Sequence, residues 1–295
     1  LPFFKRIGSW LPTMIILGLA IPLLVYLGIM QTMGWRTPVL GVRGVIAYVT
    51  SGESDVMLYA SPNSRSYLAG IGGNYETLLV PWRTYFQDRK LRIKEIQDAS
   101  QLRDYKKGVL VLPSAVALSE EERNEILAFR AKGGAILTTW ATGTRNGKGD
   151  WEGWQFLEKL GAKVLGEIPA DVEVNHLILT GESPVSHTHP AGQRIGLGKT
   201  SESLLRATGE MVAGRFMNWA RITDAARRDE GAIVYTEASG DSGRVAFFAF
   251  AESTWESRPL AASVFIDDTI QWLQREPAIV LAAWPNGKRA AQVIE

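Results

Sequence analysis

Residues 109–139, VLVLPSAVALSEEERNEILAFRAKGGAILTT, decide the fold class of this chain. The run Val109–Leu112 is apolar without alternation, which is typical of a strand that is buried on both faces. Ser119 can cap a following helix, Glu122 stands where a capping box needs an acid, and two glycines end the helical stretch. Ala135–Thr139 is a second β-rich run. A strand, a helix and a strand in this order predict an α/β fold with a mostly parallel sheet covered on both faces.

The same alternation of strands and helices extends on both sides of this stretch. Further β-rich runs and helical stretches are predicted at Val45–Val49, Val56–Ala60, Tyr75–Lys90, Leu91–Ile96, Trp151–Leu160 and Pro259–Arg275. Pro81 is expected to interrupt the helix that contains it. Gly231–Thr236 and Gly243–Phe250 are predicted to form a β-hairpin, because the segment between them is rich in turn residues.

Charge and cysteine content exclude several classes of function. The 295 residues include 32 basic and 31 acidic side chains, and the net charge of +1 gives no electrostatic reason to expect nucleic acid as a partner. The chain has no cysteine, which excludes disulfides, zinc–thiolate sites, iron–sulfur clusters and thiol nucleophiles. Scaffold, enzyme and glycan-binding functions stay open.

A long apolar segment near the N-terminus predicts a transmembrane helix. No charged residue occurs between Arg6 and Arg36, and a helix of about 20 apolar residues spans the ~30 Å hydrocarbon core of a bilayer. We expect this helix to cover residues 10–33. Its expected anchor residues are two interfacial tryptophans, a kinking proline and a tyrosine, namely Trp10, Trp35, Pro22 and Tyr26.

The apolar segment also sets the expected domain organisation and location. Residues 1–9 are expected to be a cytoplasmic stub, residues 34–276 a periplasmic α/β domain and residues 277–295 a C-terminal tail. The chain is therefore predicted to be a single-pass protein of the bacterial inner membrane, because a short inner stub and a large outer domain are the simplest arrangement. Its expected partners are the lipid bilayer and other integral membrane subunits.

Several strings of residues resemble known families. Val111–Ala115, Leu118–Arg123 and Lys132–Arg145 resemble the flavodoxin-like core of class I glutamine-amidotransferase-like domains. Gly243–Phe250 and Trp284–Ala291 resemble the segment that leads into a polysaccharide deacetylase domain. Together they are similar to the N-terminal region of membrane-anchored bacterial proteins of the polysaccharide deacetylase family. The resemblance implies a flavodoxin-like three-layer domain with extra β-hairpins after the transmembrane helix.

The chain departs from both families at the positions that carry chemistry. Amidotransferases place a cysteine nucleophile at a tight turn between a strand and a helix, and in this sequence Ala141 stands at that position. Alanine has no nucleophilic atom. The aspartate-rich strand and spaced histidine pair of the deacetylases do not occur before Glu295. The resemblance therefore implies that this chain is not an enzyme.

Two of the three histidines are weak candidates for a metal site. His187 and His189 are two residues apart and could offer two imidazoles from one edge of a strand. A zinc site usually needs three or four ligands, and the nearest carboxylate in sequence is Glu182. The alternative is an ordinary turn beside Pro190. We expect neither a metal nor another cofactor.

The loop after Ala135–Thr139 is a candidate ligand-binding or partner-binding edge. It follows a predicted parallel strand, at the carboxyl edge where open α/β sheets bind ligands. Its charged side chains could contact an anionic or glycan ligand, and its tryptophans could stack on a sugar. The residues concerned are Arg145, Lys148, Asp150, Trp151 and Trp154. The alternative is an exposed polar loop beside a packed helix.

These observations favour a non-catalytic, membrane-anchored periplasmic scaffold. Such a chain would be an accessory subunit that stabilises a larger inner-membrane complex, either photosynthetic, respiratory or polysaccharide-handling. Two alternatives stay open: the front half of a membrane-bound, metal-dependent polysaccharide deacetylase, and a glycan-binding module.

Overall fold

A large mixed β-sheet lies at the centre of the chain. The computed structural model describes residues 18, 20–22, 56–89, 93–105, 107–169, 174–181, 183–199, 201–217, 230–256 and 259–275. Within these ranges the strands are β1 (Val56–Tyr59), β2 (Lys94–Ile96), β3 (Val109–Leu112), β4 (Ala135–Thr139), β5 (Ala162–Glu167), β6 (His176–Leu179), β7 (Arg194–Gly196), β8 (Leu205–Gly209), β9 (Met211–Met217), β10 (Ile233–Thr236) and β11 (Val245–Phe248). The helices are α1 (Pro62–Gly70), α2 (Glu76–Asp88), α3 (Glu120–Ala131), α4 (Gln155–Lys159), α5 (Ser253–Glu256) and α6 (Pro259–Leu273).

Nine strands form one sheet in the order β2-β1-β3-β4-β11-β10-β9-β6-β7. The first five run parallel, and the last four continue the sheet as antiparallel neighbours. The change of direction falls at β11, where Val245 lies opposite Ile136 of β4 and Thr236 of β10. β5 and β8 form a separate antiparallel pair. Because five neighbouring strands are parallel, their carboxyl ends meet at one edge of the sheet.

Helices cover both faces of the parallel part of the sheet. Val109–Leu112 is fully buried, which confirms the expectation from its unbroken apolar sequence. Val111 belongs to the core that α2 and α6 cover, together with Phe265. Leu110 belongs to the opposite core, together with Phe129 of α3. Alternate residues of one strand thus enter two different cores, as the two-residue period of a strand requires.

The β5–β8 pair covers the antiparallel part of the sheet. Val164 of β5 and Ala207 of β8 are buried against Val234 and Phe247 of the main sheet, and Leu157 of α4 completes this third cluster. The predicted hairpin of β10 and β11 is confirmed, since the two strands pair antiparallel along their length.

Helix α3 begins with the predicted capping box. The Ser119 hydroxyl accepts the Glu122 backbone N–H at 3.2 Å, and the Glu122 carboxylate accepts the Ser119 N–H at 2.6 Å. The same carboxylate accepts the Tyr59 hydroxyl at 2.5 Å and the Asn63 amide at 2.6 Å. The cap therefore joins α3 to β1 and α1.

The expected interruption at Pro81 is wrong. Helix α2 runs without a break from Glu76 to Asp88 with Pro81 inside it. Its core face buries Trp82, Tyr85 and Phe86. Burial of three aromatic side chains offsets the hydrogen bond that proline removes from the helix.

The predicted fold class needs correction in its sheet. The additional β segments were expected as extra hairpins on a flavodoxin-like domain, whereas β10, β9, β6 and β7 extend the main sheet and make it mixed. The physical reason is that the outer edge of β11 offers backbone hydrogen-bonding groups that β10 satisfies.

The predicted membrane anchor needs correction as well. Within the described ranges, no helix combines the length and apolar character that a membrane span requires. The longest helix among them, α6, has 15 residues, whereas a bilayer requires about 20. The described structure therefore does not support the predicted single-pass inner-membrane localisation with a periplasmic domain.

Most of the predicted anchor lies outside the described residues. Pro22 is helical and exposed, and Trp10, Tyr26 and Trp35 fall outside the described ranges, as does the predicted strand Val45–Val49. The division of the chain at residues 9, 33 and 276 stays a prediction.

Candidate functional site

The loop that leaves β4 begins with a residue in the left-handed region. Trp140 has a φ of +45°, which is uncommon for a residue with a side chain. Its backbone N–H donates to the Phe248 carbonyl at 2.8 Å and its indole N–H donates to the Ser203 carbonyl at 2.8 Å. The tight turn expected around Ala141 is present, but its left-handed residue is Trp140, and Ala141 is buried.

The rest of this loop is bound to the segment that follows β3. The Gly143 N–H donates to the Ala115 carbonyl at 2.8 Å, and the Arg145 N–H donates to the Val116 carbonyl at 3.0 Å. The Arg145 carbonyl in turn accepts the Leu118 N–H at 3.0 Å. The loop therefore has fixed backbone partners along its first half.

A side-chain turn shapes the second half of the loop. The Asn146 side-chain oxygen accepts the backbone N–H groups of Lys148 at 2.9 Å and Asp150 at 3.0 Å. Gly149 has a φ of +87°, and a Cβ there would lie 2.7 Å from the Tyr67 ring. Glycine is required at this position by both conformation and space. The turn brings the loop against helix α1.

Arg145 lies between two aromatic rings. Its guanidinium carbon is 4.8 Å from the centre of the Tyr67 ring and 5.6 Å from the centre of the Trp151 ring. One guanidinium N–H also donates to the Gly149 carbonyl at 2.8 Å. Both distances are within the range of cation–π attraction. Arg145 therefore fixes the Trp151 ring relative to α1.

Trp151 is the exposed member of this arrangement. It is 53% exposed, although a tryptophan ring is a large apolar side chain that is usually buried. Its ring meets the Trp154 ring edge to face, with 5.3 Å between centres and 89° between planes. Trp154 is half-buried and packs against the core cluster under β5 and β8. We call Tyr67, Arg145, Trp151 and Trp154 the aromatic platform.

A polar groove of about 530 Å³ lies beside the aromatic platform. It runs between α3 and the loop, and both neighbours of Trp151 in the chain, Asp150 and Glu152, line it. Glu152 forms an ion pair with Arg123, which lowers the pKa of this carboxyl. Lys148 also lines the groove. All five residues predicted for this edge therefore lie on the platform or in the groove.

Sequence reasoning missed the residues that other elements bring to this edge. Tyr67 comes from α1, and Arg123 and Asn124 come from α3. Nothing local in the sequence relates these helices to the loop. The one available signal was Gly149, since a glycine in a polar loop can mark the close approach of another side chain.

The two histidines lie in a turn that packs against Asp268 of helix α6. His189 Nδ1 is 3.2 Å from a carboxylate oxygen of Asp268, and His187 Nδ1 is 3.7 Å from the other oxygen. Thr188 donates to Asp268 with its backbone N–H at 2.9 Å and its hydroxyl at 2.8 Å. Among the described residues, no cluster of three or more His, Cys, Asp or Glu side chains could hold a metal ion. This cluster attaches the turn to α6.

A buried carboxylate joins the carboxyl ends of three parallel strands. Glu252 follows β11 and accepts the Trp82 indole N–H at 2.8 Å, the Thr139 hydroxyl at 2.6 Å and the Ser114 hydroxyl at 2.5 Å. Ser114 is in the left-handed region, with a φ of +38°. Burial raises the pKa of Glu252 to about 7. Since all four side chains are buried, this cluster connects elements and presents no atom to a ligand.

A second cavity, between α2 and α6, is much smaller. It measures about 100 Å³ and is lined mainly by apolar side chains, among them Val80, Trp255 and Ile266. Ligand sites in proteins usually measure about 300–1,000 Å³. The groove beside the aromatic platform is within that range and this cavity is not.

Similar proteins were found only among solved structures. No family model and no curated protein matches the chain. A β-galactosidase from the Antarctic haloarchaeon Halorubrum lacusprofundi is 14% identical over 75% of this chain and 30% of that chain, with a TM-score of 0.54. A β-galactosidase from Rahnella sp. R3 is 15% identical over 73% of this chain and 30% of that chain, with a TM-score of 0.53. For the β-galactosidase from Bacillus circulans sp. alkalophilus the values are 14%, 70%, 30% and 0.50.

These similarities concern the fold. The chain spans about 30% of the length of each of these β-galactosidases. At such low identity a shared fold does not by itself establish a shared activity. The resemblance to amidotransferase-like domains and to the polysaccharide deacetylase family stays a prediction.

The comparisons correct the expectation that this chain is not an enzyme. That expectation depended on Ala141 and on the absence of a deacetylase motif, whereas the similar chains are β-galactosidases. The fold thus occurs within enzymes, and the lack of one nucleophile does not place a chain of this fold outside them. The expected scaffold or accessory-subunit function is not tested by these comparisons and stays a prediction.

Proposed function

We propose that this chain binds carbohydrate at the aromatic platform and the adjoining groove. The observation that carries the proposal is the half-exposed Trp151 ring, which contacts Arg145 and Trp154 and whose two neighbours in the chain, Asp150 and Glu152, line a polar groove. The C–H faces of a sugar ring pack on an aromatic face, while its hydroxyl groups need polar partners at the side. An aromatic surface with a few placed polar groups is the usual composition of such a site.

The rigidity of the platform supports binding. Trp151 contacts Arg145, which also contacts Tyr67 of α1, and it contacts Trp154, which packs against the core. The loop itself has fixed backbone partners. A side chain that is already ordered loses little conformational entropy when a ligand binds. A weak stacking contact can then contribute measurable affinity.

The test is calorimetric titration with neutral oligosaccharides. The probes are galactotetraose, cellotetraose and mannotetraose; the first is included because the similar structures are β-galactosidases. We expect the wild-type chain to bind at least one of them, and Trp151→Ala to weaken that binding at least tenfold, because the stacking surface is lost. Binding that is absent in the wild type, or unchanged in Trp151→Ala, would overturn the proposal.

A matched control removes a different exposed apolar side chain. Met211 lies on β9 and is 47% exposed, which is close to the exposure of Trp151. Met211→Ala is expected to bind the same sugar as tightly as the wild type does. Far-ultraviolet circular dichroism of both variants establishes that each is folded.

A further inference from the structure

We infer that the carbohydrate bound at the aromatic platform is uncharged. This inference rests on the proposed function and adds the chemical class of the ligand. It comes from the charges that line the groove. The basic residues of the loop suggest an anionic ligand, whereas the groove as a whole has balanced charges. The groove is lined by three basic residues, Arg123, Lys148 and Lys159, and by three acidic residues, Glu120, Asp150 and Glu152.

The equal number of the two signs removes any net attraction for an anionic polymer. A polyanion is attracted where one sign of charge dominates a cleft. In this groove each uronate would meet a carboxylate as readily as an ammonium group, and like charges brought together at an interface weaken binding. An uncharged sugar carries no such penalty.

The arginine of the groove and the arginine of the aromatic platform already have partners within the chain. Arg123 pairs with Glu152 and donates to the Arg145 carbonyl at 2.7 Å. Arg145 stacks between Tyr67 and Trp151 and donates to the Gly149 carbonyl. A carboxylate ligand would therefore have to compete with Glu152 and the Arg145 carbonyl for Arg123. Their arrangement serves to order the loop.

Neutral polar groups of the groove suit sugar hydroxyls. Asn124 on α3 and Gln155 on α4 line the groove and are exposed. A side-chain amide carries both donors and an acceptor, so that it can pair with a hydroxyl in either role. These two amides and the Trp151 ring are the groups that an uncharged oligosaccharide needs.

The test compares neutral and acidic oligosaccharides of the same linkage. Mannotetraose and tetramannuronate, both β-1,4-linked, differ only in the oxidation state of C6, and cellotetraose with its C6-oxidised form gives a second pair. In calorimetric titrations we expect the neutral member that binds to do so at least tenfold more tightly than its acidic partner. Its affinity should change less than twofold between about 50 mM and about 300 mM NaCl, because no charge is paired on binding.

The possible outcomes separate this inference from the proposed function. Tighter binding of an acidic member, weakened by salt and lost in Trp151→Ala, would overturn the uncharged class and leave carbohydrate binding at the platform in place. If no sugar of either class bound, or if Trp151→Ala bound as the wild type does, the proposed function itself would fail, and the inference with it.

Discussion

At the scale of single residues, Glu252 couples the fold to pH. Its carboxyl is fully buried, and burial raises the pKa from the ordinary value of 4.5 to about 7. The folded chain therefore holds this proton more tightly than the unfolded chain does. The free energy of unfolding is expected to decrease as the pH rises from about 4.5 to about 7, by roughly 3 kcal/mol from this residue, and to stay constant above.

The variant Glu252→Gln isolates this contribution. An amide can still accept from Trp82 and Thr139 and can donate to the Ser114 hydroxyl, so that the cluster keeps its contacts. Urea unfolding at several pH values should give a smaller decrease between pH 5 and pH 8, as rough limits, for the variant than for the wild type. Glu158→Gln, at an exposed position of α4, serves as the control. Equal slopes for all three chains would contradict the account.

Part of the residue-scale picture is readable from the sequence. Arg145, Trp151 and Trp154 are close in sequence, and all three follow a parallel strand at the carboxyl edge of the sheet, where they can be expected to lie close together. Tyr67 and Glu252 are not readable in this way, since their partners come from other elements through the tertiary fold. Long-range contacts of this kind leave no local pattern.

At the scale of elements, Glu122 at the start of α3 connects this helix to β1 and α1. Ser119→Ala removes the side-chain cap and is expected to lower the free energy of unfolding by about 1 kcal/mol. Glu122→Ala also removes the partner of the buried Tyr59 hydroxyl and of the Asn63 amide, and about 3 kcal/mol is expected. Chemical denaturation measures both.

The control for this pair is Glu121→Ala, an exposed position in the same first turn. Its stability should equal that of the wild type. If Glu122→Ala lowered the free energy of unfolding no more than Ser119→Ala, the carboxylate would act only as a helix cap and would not connect α3 to β1 and α1.

The turn before β11 depends on a glycine for space. A Cβ on Gly243 would lie 1.7 Å from the Gly134 carbonyl oxygen, which is backbone and cannot rotate away. Gly243→Ala should therefore lower the free energy of unfolding by about 3 kcal/mol or more. Gly70→Ala, at the end of α1 with nothing within 4 Å of the new Cβ, should leave stability unchanged or slightly raised. A thermal melt that ranks the two variants the other way would contradict this.

Elements with strong local signals were predicted well. The β-rich run Val109–Leu112 and the capped helix after Ser119 appear where the sequence places them. The predicted break at Pro81 was wrong because tertiary burial of the neighbouring aromatic residues outweighs the local preference of proline. Local rules fail where the core decides.

At the scale of the whole molecule, the sheet is the feature that sequence reasoning described least well. β9, β6 and β7 continue the sheet beyond β10. A hairpin is visible locally in the turn before Val245, but nothing local says that further strands will join the same sheet. The apolar segment at residues 10–33 is the opposite case, since a strong local pattern led to a membrane assignment that the described structure does not support.

The measurement that tests carbohydrate binding most directly is a nuclear magnetic resonance titration of the indole N–H signals. The chain has ten tryptophans, and single Trp→Phe variants assign the relevant signals. On addition of the neutral tetrasaccharide that binds, we expect the signals of Trp151 and Trp154 to shift, while that of Trp82, buried against Glu252, stays in place. Unmoved Trp151 and Trp154 signals, with a shift at Trp255 beside the small α2–α6 cavity instead, would contradict it.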